Sequence, residues 1–73
     1  MAIVMYIKPG CPYCRKASDY YTENGVAFTE YDAQNDARRK KEMLAFSDGD
    51  PTVPCIVKDG VYAGSGWGTP PRG

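Results

Sequence analysis

AIVMYIKPGCPYCRK, residues 2–16, changes its hydrophobic period halfway along. Ala2 to Ile7 is an unbroken apolar run of β-branched, aromatic and aliphatic side chains, the pattern of a buried strand paired on both sides. Lys8-Pro9-Gly10 ends it. From Pro12 onward Tyr13, Ala17, Tyr20, Tyr21 and Asn24 fall at i, i+4, i+7, i+8 and i+11, one face of a helix. Pro12 suits the first helical turn, where its missing N–H costs nothing. Asn24-Gly25 stops the helix, since glycine takes positive φ without strain. VAFTEYD, Val26 to Asp32, then reads as a second strand. Strand, helix and strand within roughly 30 residues form a βαβ unit, so the two strands should be parallel with a right-handed crossover.

The remaining elements follow from local signals. Asn35 or Asp36 offers an N-cap for a helix through ARRKKEMLAF, with Ala37, Met43, Leu44 and Phe46 facing inward. SDGDP stops that helix. VPCIVKDGVYAG reads as a hairpin, with Asp59-Gly60 a two-residue turn between CIVK and VYA. GSGWGTPPRG has too much glycine and proline for regular structure. The order β-α-β-α-β-β predicts one α/β domain over residues 1–73, a four-stranded mixed sheet with flanking helices.

Composition narrows the chemistry. Nine basic and nine acidic residues balance, which implies no broad basic surface and argues against nucleic acid as a partner. No apolar run approaches transmembrane length, and the N-terminal run has neither the length nor the basic flank of a secretory signal. The chain has no histidine, which removes the commonest general base and metal ligand. Three cysteines cannot close a disulfide framework, so a reducing, cytoplasmic setting is expected, where a close cysteine pair is catalytic or metal-binding more often than structural.

Cys11 and Cys14, two residues apart, lie at the edge and in the first turn of the first helix. A thiolate at Cys11 would face unpaired N–H groups and the positive end of the helix dipole. Thiol pKa values in such settings fall to roughly 3.5–7.5, and Lys8 adds a nearby positive charge. Cys14 points back toward the core and should be the resolving thiol of a dithiol exchange. A structural zinc site needs four ligands; Cys55 would be a third, and neither a histidine nor a second CxxC completes the set. Two inert buried cysteines are the blander alternative, but a CxxC that opens the helix of a βαβ unit is a redox signature.

YIKPGCPYC, GVAFTEYD and PTVPCIVKDG, in that order and spacing, resemble the glutaredoxins over about residues 2–64. The resemblance implies a thioredoxin-like fold, a cis peptide at Val53-Pro54, and thiol-disulfide oxidoreductase activity with glutathione as electron donor and no tightly bound cofactor. It implies catalysis by Cys11 and Cys14, and a glutathione groove lined by Lys8, Tyr13, Thr52, Val53 and Pro54. A cis proline would leave the Val53 backbone free to pair with an extended substrate. Disulfide-containing proteins and glutathione mixed disulfides are the implied partners.

The C-terminal part departs from the family. Glutaredoxins usually carry Gly-Gly and then an acidic residue after the hairpin, to hold the γ-glutamyl end of glutathione. Here Gly64 matches, Ser65 replaces the second glycine, and Trp67 stands where an acid is expected; GSGWGTPPRG is not expected to form the family's final helix. Loss of a charge-assisted hydrogen bond of about 1.5–3 kcal/mol would weaken glutathione roughly ten- to a hundredfold, with the backbone of Gly64 and Ser65 still available to it. SGW followed by Pro70 is more like the short glutaredoxin-like redoxins that take electrons from thioredoxin reductase and serve ribonucleotide reductase. A third alternative is a non-catalytic module holding an iron–sulfur cluster between two subunits through Cys11 and glutathione, against which Pro12 stiffens the loop. Cys55 reads as a small packing residue in a strand rather than a third redox thiol. RRKKE, Arg38 to Glu42, reads as a solvated helix face. Trp67 reads as cover for sheet surface that a final helix would otherwise protect, and the uncovered remainder implies weak self-association.

Overall fold

Ile3–Ile7 forms β1, the central strand of a sheet ordered β2-β1-β3-β4 in the computed structural model, which describes residues 2–73. β2, Phe28–Asp32, runs parallel to β1, with Ile3 opposite Phe28 and Ile7 opposite Asp32. β3, Cys55–Lys58, runs antiparallel on the other edge of β1, and β4, Val61–Ser65, closes a hairpin with β3. The sheet is therefore mixed, and β1 is paired on both sides as its apolar run requires. Asp59 and Gly60 have φ values of 51° and 79°, the doubly left-handed conformation that a two-residue hairpin turn demands. The same turn grips the start of β1: the Ala2 N–H donates to the Asp59 carboxylate at 2.7 Å and the Asp59 N–H to the Ala2 carbonyl at 2.8 Å.

α1, Pro12–Glu23, and α2, Ala37–Phe46, cover opposite faces of the sheet. Strand residues alternate between faces. Ile3, Met5 and Ile56 pack under α1 against Ala17 and Tyr21. Tyr6, Cys55 and Val57 pack under α2 against Met43. Asp36 caps α2, accepting from the N–H groups of Arg38 at 3.0 Å and Arg39 at 3.3 Å.

Several expectations are corrected here. The inward stripe of α1 is Cys14, Ala17 and Tyr21; Tyr20 is 52% exposed and Asn24 is exposed at the helix end. Tyr20 instead lies on the flank of the helix, where the tail brings the Trp67 ring to 5.4 Å from it. In α2 only Met43 is fully buried, Leu44 is half-buried, and Ala37 and Phe46 are exposed, because the short helix meets the sheet through its middle turn. β2 starts at Phe28, with Val26 packing against the α1 layer outside the strand. Arg39 is half-buried rather than fully solvated: its guanidinium sits 3.8 Å from the centre of the Tyr31 ring and bonds Glu42 at 3.0 Å. Glu42 also accepts from the Tyr6 hydroxyl at 3.2 Å, which ties α2 to the central strand.

The segment after β4 is irregular, as its composition predicts. Its start is pinned by the Gly66 N–H donating to the Pro54 carbonyl at 2.9 Å. Trp67 and Arg72 exchange backbone hydrogen bonds of 2.7 and 3.0 Å, closing a loop. Gly66 permits this closure: its φ is 86°, and a Cβ there would stand 2.9 Å from the Arg72 nitrogen. Trp67 packs against Tyr21 at 5.8 Å as well as Tyr20 and joins the α1-side core.

Candidate active site

Cys11 is the N-cap of α1, in extended conformation with φ −79° and ψ 114°, and Pro12 follows at the first helical position. Its Sγ accepts the Cys14 N–H at 3.2 Å, so the sulfur takes the place of the oxygen of an ordinary capping residue. The thiol therefore faces the unpaired amides of the first turn. Cys11 is half-buried, whereas Cys14, one turn further in, is 3% exposed. Both are free thiols. Burial pushes the Cys14 thiol up to about 12, with its hydrogen bond to Cys11 second; a backbone contact at Lys8 pulls the other way. The pair is thus asymmetric in access and in readiness to ionise.

Three loops converge on Cys11. Lys8 to Gly10, between β1 and α1, line a groove of about 470 Å³ together with Gln34, Thr52, Val53 and Gly73, the last packed against the Val53 carbonyl. Val53-Pro54 is a cis peptide, as expected. Among the described residues the Val53 N–H and C=O make no hydrogen bond, although the side chain is buried. Two carboxylates shape the loops. Asp50 accepts from the Thr52 N–H at 2.9 Å, and contact with Thr52 holds its carboxyl below the ordinary value. Asp32 accepts from the Gln34 and Asn35 N–H groups at 2.9 and 3.0 Å and from the Asn35 amide at 2.8 Å; Asn35 is the main reason its carboxyl is held low.

Of the residues singled out in the sequence, Lys8, Cys11, Thr52 and Val53 line this groove together. Pro54 is fully buried beneath it. Tyr13 is half-buried on α1, with the Lys16 ammonium 5.3 Å from its ring centroid, and does not line the groove. Gly64 and Ser65 line a different cavity with Trp67, on the α1 side of the sheet. Cys55 is fully buried, and burial raises its thiol while a hydrogen bond to Ser65 lowers it, the first effect being the larger. Gln34 and Pro51 line the groove and were not singled out. Their signal was present in the turn-forming pairs Asp32/Asn35 and Asp50/Thr52, where a side-chain carboxylate bonds backbone N–H groups two or three residues ahead. Among the described residues, no group of three or more His, Cys, Asp or Glu side chains is placed to hold a metal ion. No described helix is long and apolar enough to cross a membrane.

Comparison with known proteins agrees with this geometry. Glutaredoxin 3 of Escherichia coli is 36% identical over 62 residues, which cover 85% of this chain and 74% of that protein. Glutaredoxin 1 of Rickettsia conorii is 36% identical over 63 residues, covering 85% of this chain and 62% of that one, so the chain spans less than two thirds of this relative's length. Among solved structures, the thioredoxin-like protein BC3987 superposes with a TM-score of 0.79 at 29% identity, covering 93% of this chain and 90% of that one. The glutaredoxin of Brucella melitensis superposes with a TM-score of 0.71 at 32% identity, covering 89% and 70%. With the family model for glutaredoxin matching residues 3–63, the segment that carries the CxxC helix, the cis proline and most of the sheet, this chain belongs to the glutaredoxin family.

Proposed function

We propose that the protein is a thiol-disulfide oxidoreductase, reduced by glutathione, that acts on protein disulfides or glutathione mixed disulfides in a reducing, cytoplasmic setting. The observation that carries this reading is the asymmetry of the pair: Cys11 half-buried as a sulfur N-cap, Cys14 buried one turn behind it. Cys11, as thiolate, attacks a disulfide sulfur; one substrate thiolate leaves and a mixed disulfide on Cys11 remains. Cys14 then attacks the Cys11 sulfur, the second substrate thiolate leaves, and the protein holds a Cys11–Cys14 disulfide. Two molecules of glutathione restore the dithiol and depart as glutathione disulfide.

The groove supports a peptide-like anionic donor. Lys8 supplies a positive charge in the lining, and the Val53 N–H and C=O, which make no hydrogen bond, suit an extended chain that displaces Gly73 and adds as a short strand. The placement of Gly64, Ser65 and Trp67 in the other cavity leaves the γ-glutamyl end few partners, which supports weak rather than tight binding. A second reading, reduction by thioredoxin reductase with ribonucleotide reductase as recipient, draws support from that same placement, since Gly64, Ser65 and Trp67 lie away from the groove at Cys11. One assay separates the two. Oxidised protein is offered glutathione with glutathione reductase, or thioredoxin reductase alone, each with NADPH. Consumption of NADPH in the first mixture and not the second is expected; the reverse would replace glutathione by thioredoxin reductase as donor.

A further inference from the structure

A second groove, of about 380 Å³, reaches the same cysteines from the side of α1 and β2. Cys14, which does not line the first groove, lines this one with Arg15, Ser18 and Glu30. Glu30 stands opposite Met5 in the β1–β2 register and so shares the α1 face of the sheet. The Ser18 Oγ lies 2.9 Å from a Glu30 carboxylate oxygen and 3.1 Å from the Cys14 carbonyl oxygen. Ser18 thereby holds the carboxylate against the helical turn that carries the resolving thiol.

Resolution has an unmet need. Cys14 attacks only as a thiolate, yet burial holds its proton tightly. Cys11 cannot take that proton, because its sulfur is then bonded to substrate. No histidine exists in the chain. The charged side chains lining this groove are Lys8 from the loop after β1, Arg15 from α1 and Glu30 from β2, so Glu30 is its one carboxylate. Asp19, the nearest acid on α1, is bonded to Arg15 at 3.2 Å, and Asp32, two residues along β2, is held by Gln34 and Asn35.

We propose that Glu30, positioned by Ser18, accepts the thiol proton of Cys14 as Cys14 attacks the mixed disulfide on Cys11. The Cys14–S bond to Cys11 forms, the bond from Cys11 to the substrate sulfur breaks, and the electron pair leaves on the substrate thiolate. The proton passes to Glu30 and then to solvent, to which Glu30 is exposed. This inference rests on the dithiol reading above.

The aromatic disulfide dithionitrobenzoate tests it, because each step releases one coloured thiolate. The first release reports attack by Cys11 and the second reports resolution by Cys14. At pH 7, Glu30→Gln should leave the first phase unchanged and slow the second roughly 10- to 100-fold, at or below the lower end of the ~10²–10⁴ that general-base catalysis supplies. The deficit should shrink as pH rises toward 10 and hydroxide takes over, Glu30→Asp should recover part of the rate, and Ser18→Ala should slow the second phase less. A carboxylate acting only as a nearby negative charge predicts the opposite sign, since its removal would ease ionisation of Cys14. A second phase that is unchanged or faster in Glu30→Gln overturns the proposal and leaves the dithiol reading standing. A wild-type protein that shows no second phase, with no Cys11–Cys14 disulfide by mass spectrometry, overturns both.

Discussion

Cys11 and Cys14 differ by one helical turn and behave as different reagents. Nucleophilicity belongs to the thiolate. The Cys14 thiol, pushed up to about 12 chiefly by burial, stays protonated at pH 7, and it is also shielded from solvent. Cys55 is disadvantaged in the same two ways. Brief alkylation of the reduced protein with iodoacetamide at pH 7 should therefore modify Cys11 first, read by peptide mass mapping. Earlier labelling of Cys14 or Cys55 would reverse the assignment of the attacking thiol. This asymmetry was legible in CPYC, because a residue before a first-turn proline is forced outside the helix while one two places after it is forced in. The groove was only half legible. Lys8, Thr52 and Val53 adjoin recognisable punctuation, a strand end and a proline. Gln34 and Pro51 reach Cys11 only after two separate loops fold over it; the pairs Asp32/Asn35 and Asp50/Thr52 mark those loops as turns but do not say where the turns come to lie.

Elements were legible where a local device forces them. Asp59-Gly60 adopts a doubly left-handed geometry suited to joining β3 to β4 in two residues, so the hairpin appears where the pair stands. Asp36 was one of two N-cap candidates, and its carboxylate is the one that bonds the first-turn amides of α2. The ten-residue α2 is too short to be stable by itself and buries only Met43 completely, so its cap matters more than in a longer helix. Asp36→Ala should lower unfolding free energy by ~1 kcal/mol, measured as a shift in urea midpoint without change in slope. No shift would show that packing of Met43 and the Arg39–Glu42–Tyr6 link suffice. The inward stripes were less legible than the helices themselves. Tyr20 fits the helical period of α1 as well as Tyr21 does. What separates them is the position of the strands beneath, since Tyr21 packs over Ile3, Met5 and Ile56, while the Trp67 ring from the irregular tail meets both tyrosines.

For the whole molecule, buried protons link stability to pH. The Tyr6 hydroxyl is pushed up to about 12 from an ordinary 10.0, by burial first and the Glu42 carboxylate second. Cys14 is pushed to about 12 from 9.0, and Tyr21 and Cys55 are also raised by burial. Above pH 9 the unfolded chain sheds protons that the folded one keeps, so it binds fewer and stability falls with rising pH. This contribution is complete below about pH 9 and is lost as pH passes through about 12. The urea midpoint of the reduced protein should decline between pH 9 and 11, and the decline should be shallower in Tyr6→Phe; a flat midpoint would mean these groups ionise without unfolding. The place of β1 has a consequence for the order of synthesis. Its β2 edge can be satisfied once Asp32 has been made, but its other edge waits for Cys55 to Lys58. During that interval a nascent chain shows an unpaired edge reading Ile-Val-Met-Tyr-Ile, with neither charge nor proline to discourage a neighbour. Any pause of the ribosome between those points would leave a polypeptide fit to be bound by a chaperone or to pair with its own copies, and the hairpin that grips Ala2 ends that exposure.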